Sequence, residues 1–260
     1  MKNEAKEKAV APKVETPIAA YQMSQADQEA MFGDIGAEDV SIPRITVLQG
    51  LSPEVSEGLG TPGDLFVKGL NQNLGKQPIE IIPLMRNRSR MRWKPMDEGG
   101  GILCQALDGL NGIGDPGGDC QSCKYIEWTI KDPKSGKMKP GCDIVQNVIC
   151  VIRKEEEWVP MALSGSRTKL RALRDLNSLL MLEQQKGRPI FGKSYVLKVV
   201  KKSSGQISYF NISITPGNGN QVLPEVEVQK AARLFQGLRG KTFRIDQPME
   251  TEQHHDTSDI

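Results

Sequence analysis

Four of the five cysteines fall between Cys104 and Cys142 with the spacing C-x15-C-x2-C-x18-C, in a stretch otherwise rich in glycine, proline, lysine and aspartate. Such a segment has little apolar surface with which to order itself, so the thiols constrain what it can become. Zn2+ prefers four soft or borderline ligands in a tetrahedron, with thiolates at about 2.3 Å. Cys120 and Cys123 can grip one ion from a tight turn, while Cys104 and Cys142 arrive from the two ends. The stretch therefore predicts a structural zinc insertion over residues 94–143, folded in part by the metal. A closed shell of four thiolates leaves no position for water, and the two histidines, His254 and His255, lie in the tail. Catalytic zinc is not expected. The plainer alternative is four reduced cysteines in a loose loop. The fifth cysteine, Cys150, lies in a β-branched run and is expected to pack as a small apolar residue.

The segment entering the insertion reads LMRNRSRMRWKP. Side chains alternate faces along a strand, so Arg86, Arg88, Arg90 and Arg92 are expected on one face and Met85, Asn87, Ser89, Met91 and Trp93 on the other. Four like charges on one face repel one another, and a phosphate backbone would relieve that. The bland reading is an edge strand protected by charge. Single-stranded nucleic acid also needs platforms on which bases stack. Trp93, Tyr125 and Trp128 are candidates beside Lys94, and a zinc loop has little core in which to hide the last two. Further cations, Lys124, Arg167, Lys169, Arg171, Lys198, Lys201 and Lys202, extend the candidate surface.

Charge is unevenly placed. The whole chain carries +2, but residues 246–260 hold Asp246, Glu250, Glu252, Asp256 and Asp259 with no lysine or arginine, leaving +7 on the rest. A basic body with an acidic tail suggests a polyanion partner and a tail able to compete for the same surface. No run of eighteen apolar residues is present, and MKNEAKEKAV lacks a signal-like apolar stretch. A cytoplasmic protein with no membrane partner is expected.

Residues 1–40 read as a flexible arm with a short helix after Ser24, residues 41–245 as one folded domain, and 246–260 as a disordered tail. Strand signals appear at Ile42–Gln49, Asp64–Lys68, Ile79–Trp93, Ile144–Ile152 and Trp158–Leu163. Leu170, Leu173, Leu176 and Leu180 put one apolar stripe on a helix from Arg167 to Lys186, with Gly187 at its end. A hairpin follows over Tyr195–Lys201 and Ile207–Thr215, then a helix over Glu225–Leu238 and a short strand at Lys241–Ile245. The expected class is mainly β with α (α+β), arranged as an OB-fold-like antiparallel barrel.

Residues 187–194, GRPIFGKS, match a phosphate-loop pattern, but a helix precedes them and a strand follows. That motif works only between a strand and a following helix, so Lys193 is not expected to hold a nucleotide. With no histidine before the tail, Ser-His and Cys-His nucleophile pairs are absent, and no enzyme is expected.

IPRITVLQGLSPEV, then GTPGDLF, the four-cysteine insertion and a basic sheet resemble a group of tailed-phage proteins over roughly residues 42–215. The resemblance implies a single-stranded-DNA-binding protein with an OB-fold and a zinc insertion, acting in phage DNA replication or recombination. The acidic tail is similar to those through which replication single-strand-binding proteins recruit partners, although it ends DTSDI without a Pro-Phe pair. The alternative function is a zinc-stabilised protein–protein adaptor, with an ATPase third.

Overall fold

The apolar runs on either side of the cysteines pair directly with each other. The computed structural model describes residues 41–95, 98–131, 136, 138–153, 157–204, 207–241 and 244–245. In chain order it holds strands Ser41–Ile42 (β1) and Arg44–Val47 (β2), a helical turn Pro53–Ser56 (α1), and strands Leu65–Lys68 (β3), Gln72–Gly75 (β4), Ile79–Trp93 (β5), Ile102–Ala106 (β6), Asn111–Gly114 (β7), Gly118–Asp119 (β8), Ile130–Lys131 (β9), Met138–Lys139 (β10), Asp143–Ile152 (β11) and Met161–Gly165 (β12). Helix Arg167–Gln185 (α2) follows, then the hairpin Tyr195–Ser204 (β13) and Ile207–Pro216 (β14), helix Glu225–Leu238 (α3) and strand Arg244–Ile245 (β15). The expected arm over residues 1–40 and the acidic tail, with Asp246, Glu250, Glu252, Asp256 and Asp259, lie outside the described residues.

Strand β5 pairs antiparallel with β11 along one side, from Met91–Asp143 to Ile81–Ile152. Its other side takes two partners, β13 against Ile79–Ile81 and β6 against Arg90–Trp93. The sheet therefore forks at β5. One path runs β4-β3-β2-β12-β11-β5-β6-β7-β8, and the hairpin β13–β14 joins at the opposite end of β5. The β12–β2 pairing is parallel, as is the small β1–β15 pairing, so the sheet is mixed.

The architecture is mainly β with α, but the expected antiparallel barrel does not close. No ladder among the described residues joins β4 to β8 or β14, because the fork and the parallel step give the sheet separate ends. Its curvature still brings β2 near β14. There the Gln49 amide donates through Nε2 to the Phe210 carbonyl at 2.8 Å and accepts at Oε1 from the Phe210 N–H at 2.9 Å. One side chain bridges a gap that a ladder would otherwise fill.

Helix α2 forms where its leucines fall at helical spacing, and Leu173, Leu176 and Leu180 are fully buried. They pack on Ile45, Val67, Ile81, Val148, Cys150, Leu163, Leu197 and Ile212 in the main core. Gly187, at φ 72°, ends the helix, and the Arg188 N–H reaches back to the Glu183 carbonyl at 3.0 Å, the arrangement a left-handed terminal residue permits. Helix α3 covers the other face, against Ile82, Leu84 and Val151.

The ladder between β5 and β11 slips once. Met85 faces Ile149, but Cys150 faces Pro83, so Leu84 is an extra residue on β5. Such a bulge reverses the in–out phase of everything beyond it. Ile81 therefore lies on the α2 side with Cys150 and Ile152. Past the bulge it is the even-numbered residues, Arg86 to Arg92, that take that side.

Replacing Gln49 by Ala should lower the unfolding free energy by about 2 kcal/mol, since two part-buried hydrogen bonds are lost at about 1 kcal/mol each. Denaturant titration would measure this. An unchanged midpoint would show that the sheet holds its curl without the bridge.

Candidate metal site and arginine surface

The insertion leaves β5 at Trp93 and returns to β11 at Asp143, residues held close by the same ladder. Two acidic turns shape it. Asp108 accepts from the N–H groups of Leu110 and Asn111, both at 2.8 Å, to turn β6 into β7. Asp119 accepts from the N–H groups of Gln121 and Ser122 at 3.0 and 3.1 Å, folding the Cys120–Cys123 knuckle. Asparagine and aspartate do this because a short carboxyl or amide reaches the backbone two residues on. Both carboxyls are held below their ordinary range, chiefly by these backbone N–H groups.

Cys104 sits on β6, Cys120 after β8, Cys123 before a short turn at Lys124–Ile126, and Cys142 directly before β11. All four line one cavity of about 10 Å3, with Arg90, Arg92, Ala106, Pro116, Gly117, Tyr125 and Ile126. The Cys142 N–H donates to the Tyr125 carbonyl at 2.9 Å, and the Cys120 N–H to the Leu110 carbonyl at 2.7 Å, so backbone bonds fix two corners. A Cβ at Gly112 would stand 2.8 Å from Cys104 Sγ, so only glycine leaves that sulfur its place.

Burial pushes the Cys142 thiol up to about 11, against the pull of Arg90, with Cys120, Asp143 and Cys104 adding to the rise. Burial likewise raises Cys120, again opposed by Arg90. Among the described residues, no three or more His, Cys, Asp or Glu side chains already stand in metal-binding geometry. The four thiols therefore line one cavity without forming an assembled cluster. Four thiols alone have nothing to draw them together, whereas a soft divalent cation would. By donor type, and by lining one cavity, the residues suit such an ion. Cys150 is fully buried in the main core and takes no part.

The arginine row divides. Arg86 and Arg88 are exposed, and Arg90 and Arg92 are partly covered. Arg92 donates through Nη1 to the Asp115 carbonyl at 3.0 Å and to Asp115 Oδ2 at 3.2 Å, and its guanidinium lies 3.8 Å from the Tyr125 ring centroid. Lys124 lies over the same ring at 5.1 Å. Among the described residues Arg86 and Arg88 have no ion-pair partner. They flank β11 at Val148 and Gln146, and Gln146 accepts from Asn177 of α2 at 3.0 Å. Arg174 lies one turn before Asn177, on the exposed flank of α2. A strip between β5 and α2 thus carries Arg86, Arg88 and Arg174.

Other expected cations lie elsewhere. Leu197 pairs with Ile79, so Lys198, Lys201 and Lys202 run on beyond the start of β5, away from Arg86. Arg167 is bound to Asp143 at 3.0 Å. Trp128 is 69% exposed, whereas the buried Trp93 Nε1 has no hydrogen-bond partner. Lys94 is half-buried beside it. Asp115 was not foreseen. It lies 23 residues from Arg92, and nothing local to either residue signals the pairing.

Lys193 of GRPIFGKS is buried. Its Nζ donates to Asn220 Oδ1 at 2.8 Å and pairs with Glu183 Oε1 at 3.2 Å, while Ser194 Oγ donates to Glu80 Oε1. The lysine is thus tied to a carboxylate of α2 and to the turn that carries Asn220.

Residues 7–240 match the model of one family, described as Pam3 phage gp34-like protein. No curated protein and no solved structure matches the chain significantly. No helix among the described residues is long and apolar enough to cross a membrane.

Burial pushes the Glu183 carboxyl up, but hydrogen bonds from Lys186, Lys193 and Arg188 outweigh it and bring it from 4.5 to about 2. A carboxyl lowered on folding stabilises the protein above its unfolded value, and that stability is lost as pH falls through the folded one. Between pH 4.5 and 2 this group should cost the fold on the order of 3 kcal/mol. Acid titration of Glu183→Gln should show a correspondingly flatter limb. A limb as steep as wild type would remove the assignment.

Proposed function

The chain belongs to the Pam3 phage gp34-like protein family, and on that premise we propose that it binds single-stranded DNA, without sequence preference, in phage replication or recombination within the host cytoplasm. The observation that carries this reading is the exposed, unpaired state of Arg86 and Arg88 among the described residues. Alternate residues of a strand stand about 6.8 Å apart, so the pair presents two guanidiniums in a row on a rigid element. Phosphates can bind both without disturbing an existing ion pair. Trp128 offers an exposed face on which a base can stack. The acidic tail, by the same reading, recruits replication or recombination proteins.

Cys104, Cys120, Cys123 and Cys142 would hold a structural Zn2+. When bound, the ion would crosslink the two ends of the insertion and leave no open position for chemistry. The chain's own part is to bring four thiols to one cavity by the turns at Asp108 and Asp119, and to keep Gly112 clear of Cys104.

One observation favours the second reading, a zinc-stabilised adaptor for proteins. Ile113 is 79% exposed, and Leu110, Ile130 and Met138 of the same insertion are also exposed. A partner protein would cover such side chains more naturally than a phosphate backbone would.

The two readings separate in a titration with oligo-dT, followed by tryptophan fluorescence across a range of salt. Each phosphate contact on a single strand contributes about 0.7 to the log–log salt slope. The variant Arg86→Ala/Arg88→Ala should therefore lose about 1.4 from the wild-type slope. Binding that ignores salt, or a double variant indistinguishable from wild type, would sink the single-strand reading and leave the adaptor.

A further inference from the structure

Arg90 and Arg92 continue the row begun by Arg86 and Arg88 but end in different surroundings. Both line the cavity that holds Cys104, Cys120, Cys123 and Cys142. Arg92 is fixed there twice, by Asp115 and by stacking on Tyr125 at 3.8 Å. A side chain held by an ion pair and a ring contact is poorly placed to follow a mobile single strand. It is well placed to hold a positive charge at a set position.

Arg92 already pairs with the exposed carboxylate of Asp115, whereas Arg90 has no ion-pair partner among the described residues, and its charge finds one if the cavity becomes negative. A divalent cation held by four thiolates is a cluster of charge −2, and the walls here include Cys120 and Cys142, both buried. An uncompensated anion in such a place is costly, and the side chains lining the cavity include two cations and no carboxylate. Within the lining, two guanidiniums against four thiolates and one divalent ion sum to zero, and the exposed Asp115 carboxylate on Arg92 adds one negative charge outside it.

We propose that Arg90 and Arg92 are the fixed counter-charges of a zinc tetrathiolate on Cys104, Cys120, Cys123 and Cys142, and that they do not contact nucleic acid. The proposal rests on the metal reading given above and adds the division of the arginine row. The half of β5 nearest the insertion serves the metal, and Arg86 and Arg88 remain for a polyanion. Arg90 and Arg92 are positioning residues, acting through the thiolates without touching the ion.

The test uses the full chain stripped of metal and titrated with Zn2+ alone against a chromophoric chelator. Arg90→Gln and Arg92→Gln should each weaken zinc binding about 10- to 100-fold, the range usual for outer-shell partners. Arg90→Lys and Arg92→Lys keep the charge and should keep most of the affinity. The oligo-dT salt slope should be the same in all four variants as in wild type. If wild type binds zinc tightly and the Gln variants bind it equally well, the counter-charge role is wrong while the metal site stands. Lys variants as weak as Gln variants would show that shape, not charge, matters, and would also overturn it. So would a reduced salt slope in the Gln variants, which would return these arginines to the DNA surface. If wild type binds no zinc, the metal reading itself falls. Should a Gln variant fail to fold by circular dichroism, the Lys variants carry the test, since they must retain zinc.

Discussion

The ladder between β5 and β11 is the constraint on which the rest depends. It runs from Asp143–Met91 to Ile152–Ile81 and brings together residues that the insertion separates by about fifty positions in sequence. Closing a loop of that length has an entropic cost, but the cost grows only slowly with length. A ten-residue strand with Val148, Ile149, Cys150 and Val151 buried meets it readily. Once the ladder exists, Trp93 and Asp143 are neighbours whatever the insertion does. The insertion then has only to arrange itself, and its two acidic turns and backbone bonds do that with little core. The same ladder seats α2 on one face and α3 on the other, so core and site share one support.

Charge elsewhere in the fold follows one pattern, in which one ion serves several partners of opposite sign. Glu183 takes Lys186, Arg188 and Lys193. Arg153 joins Glu80 of β5 at 3.1 Å to Glu227 of α3 at 2.8 Å. Such networks leave few charges unmatched, since breaking a buried pair leaves an uncompensated ion. Against those networks, Arg86 and Arg88 of β5 are exposed and have no ion-pair partner among the described residues.

Much of this was legible in the sequence, for reasons that local pattern can carry. The leucine stripe of α2, the long runs of β5 and β11, the β13–β14 hairpin and α3 all rest on periodicities of a few residues. The helix before GRPIFGKS and the strand after it were legible too. What was not legible depends on register and on distant partners. The parallel step between β12 and β2 has no local signal, and it helped turn an expected barrel into a forked, mixed sheet. The alternation of Arg86 to Arg92 was plain, but not that Asp115 and Tyr125 would capture its last member. Nor could spacing show that Lys198 to Lys202 would lie beyond the far end of β5.

The extra residue at Leu84 has a consequence beyond local geometry. It makes β5 two strands spliced out of phase, a first half keyed to the core and a second keyed to the site. Without the splice, the parity that buries Ile81 beneath α2 would send Arg86 to Arg92 to the opposite side, toward α3. Hydrophobic order in one half and a row of charge in the other could then not share one continuous strand. One unpaired residue lets the chain change what it presents without changing where it runs. The splice thus acts as a gear between folding and recognition, and it fixes which neighbours the arginines can meet.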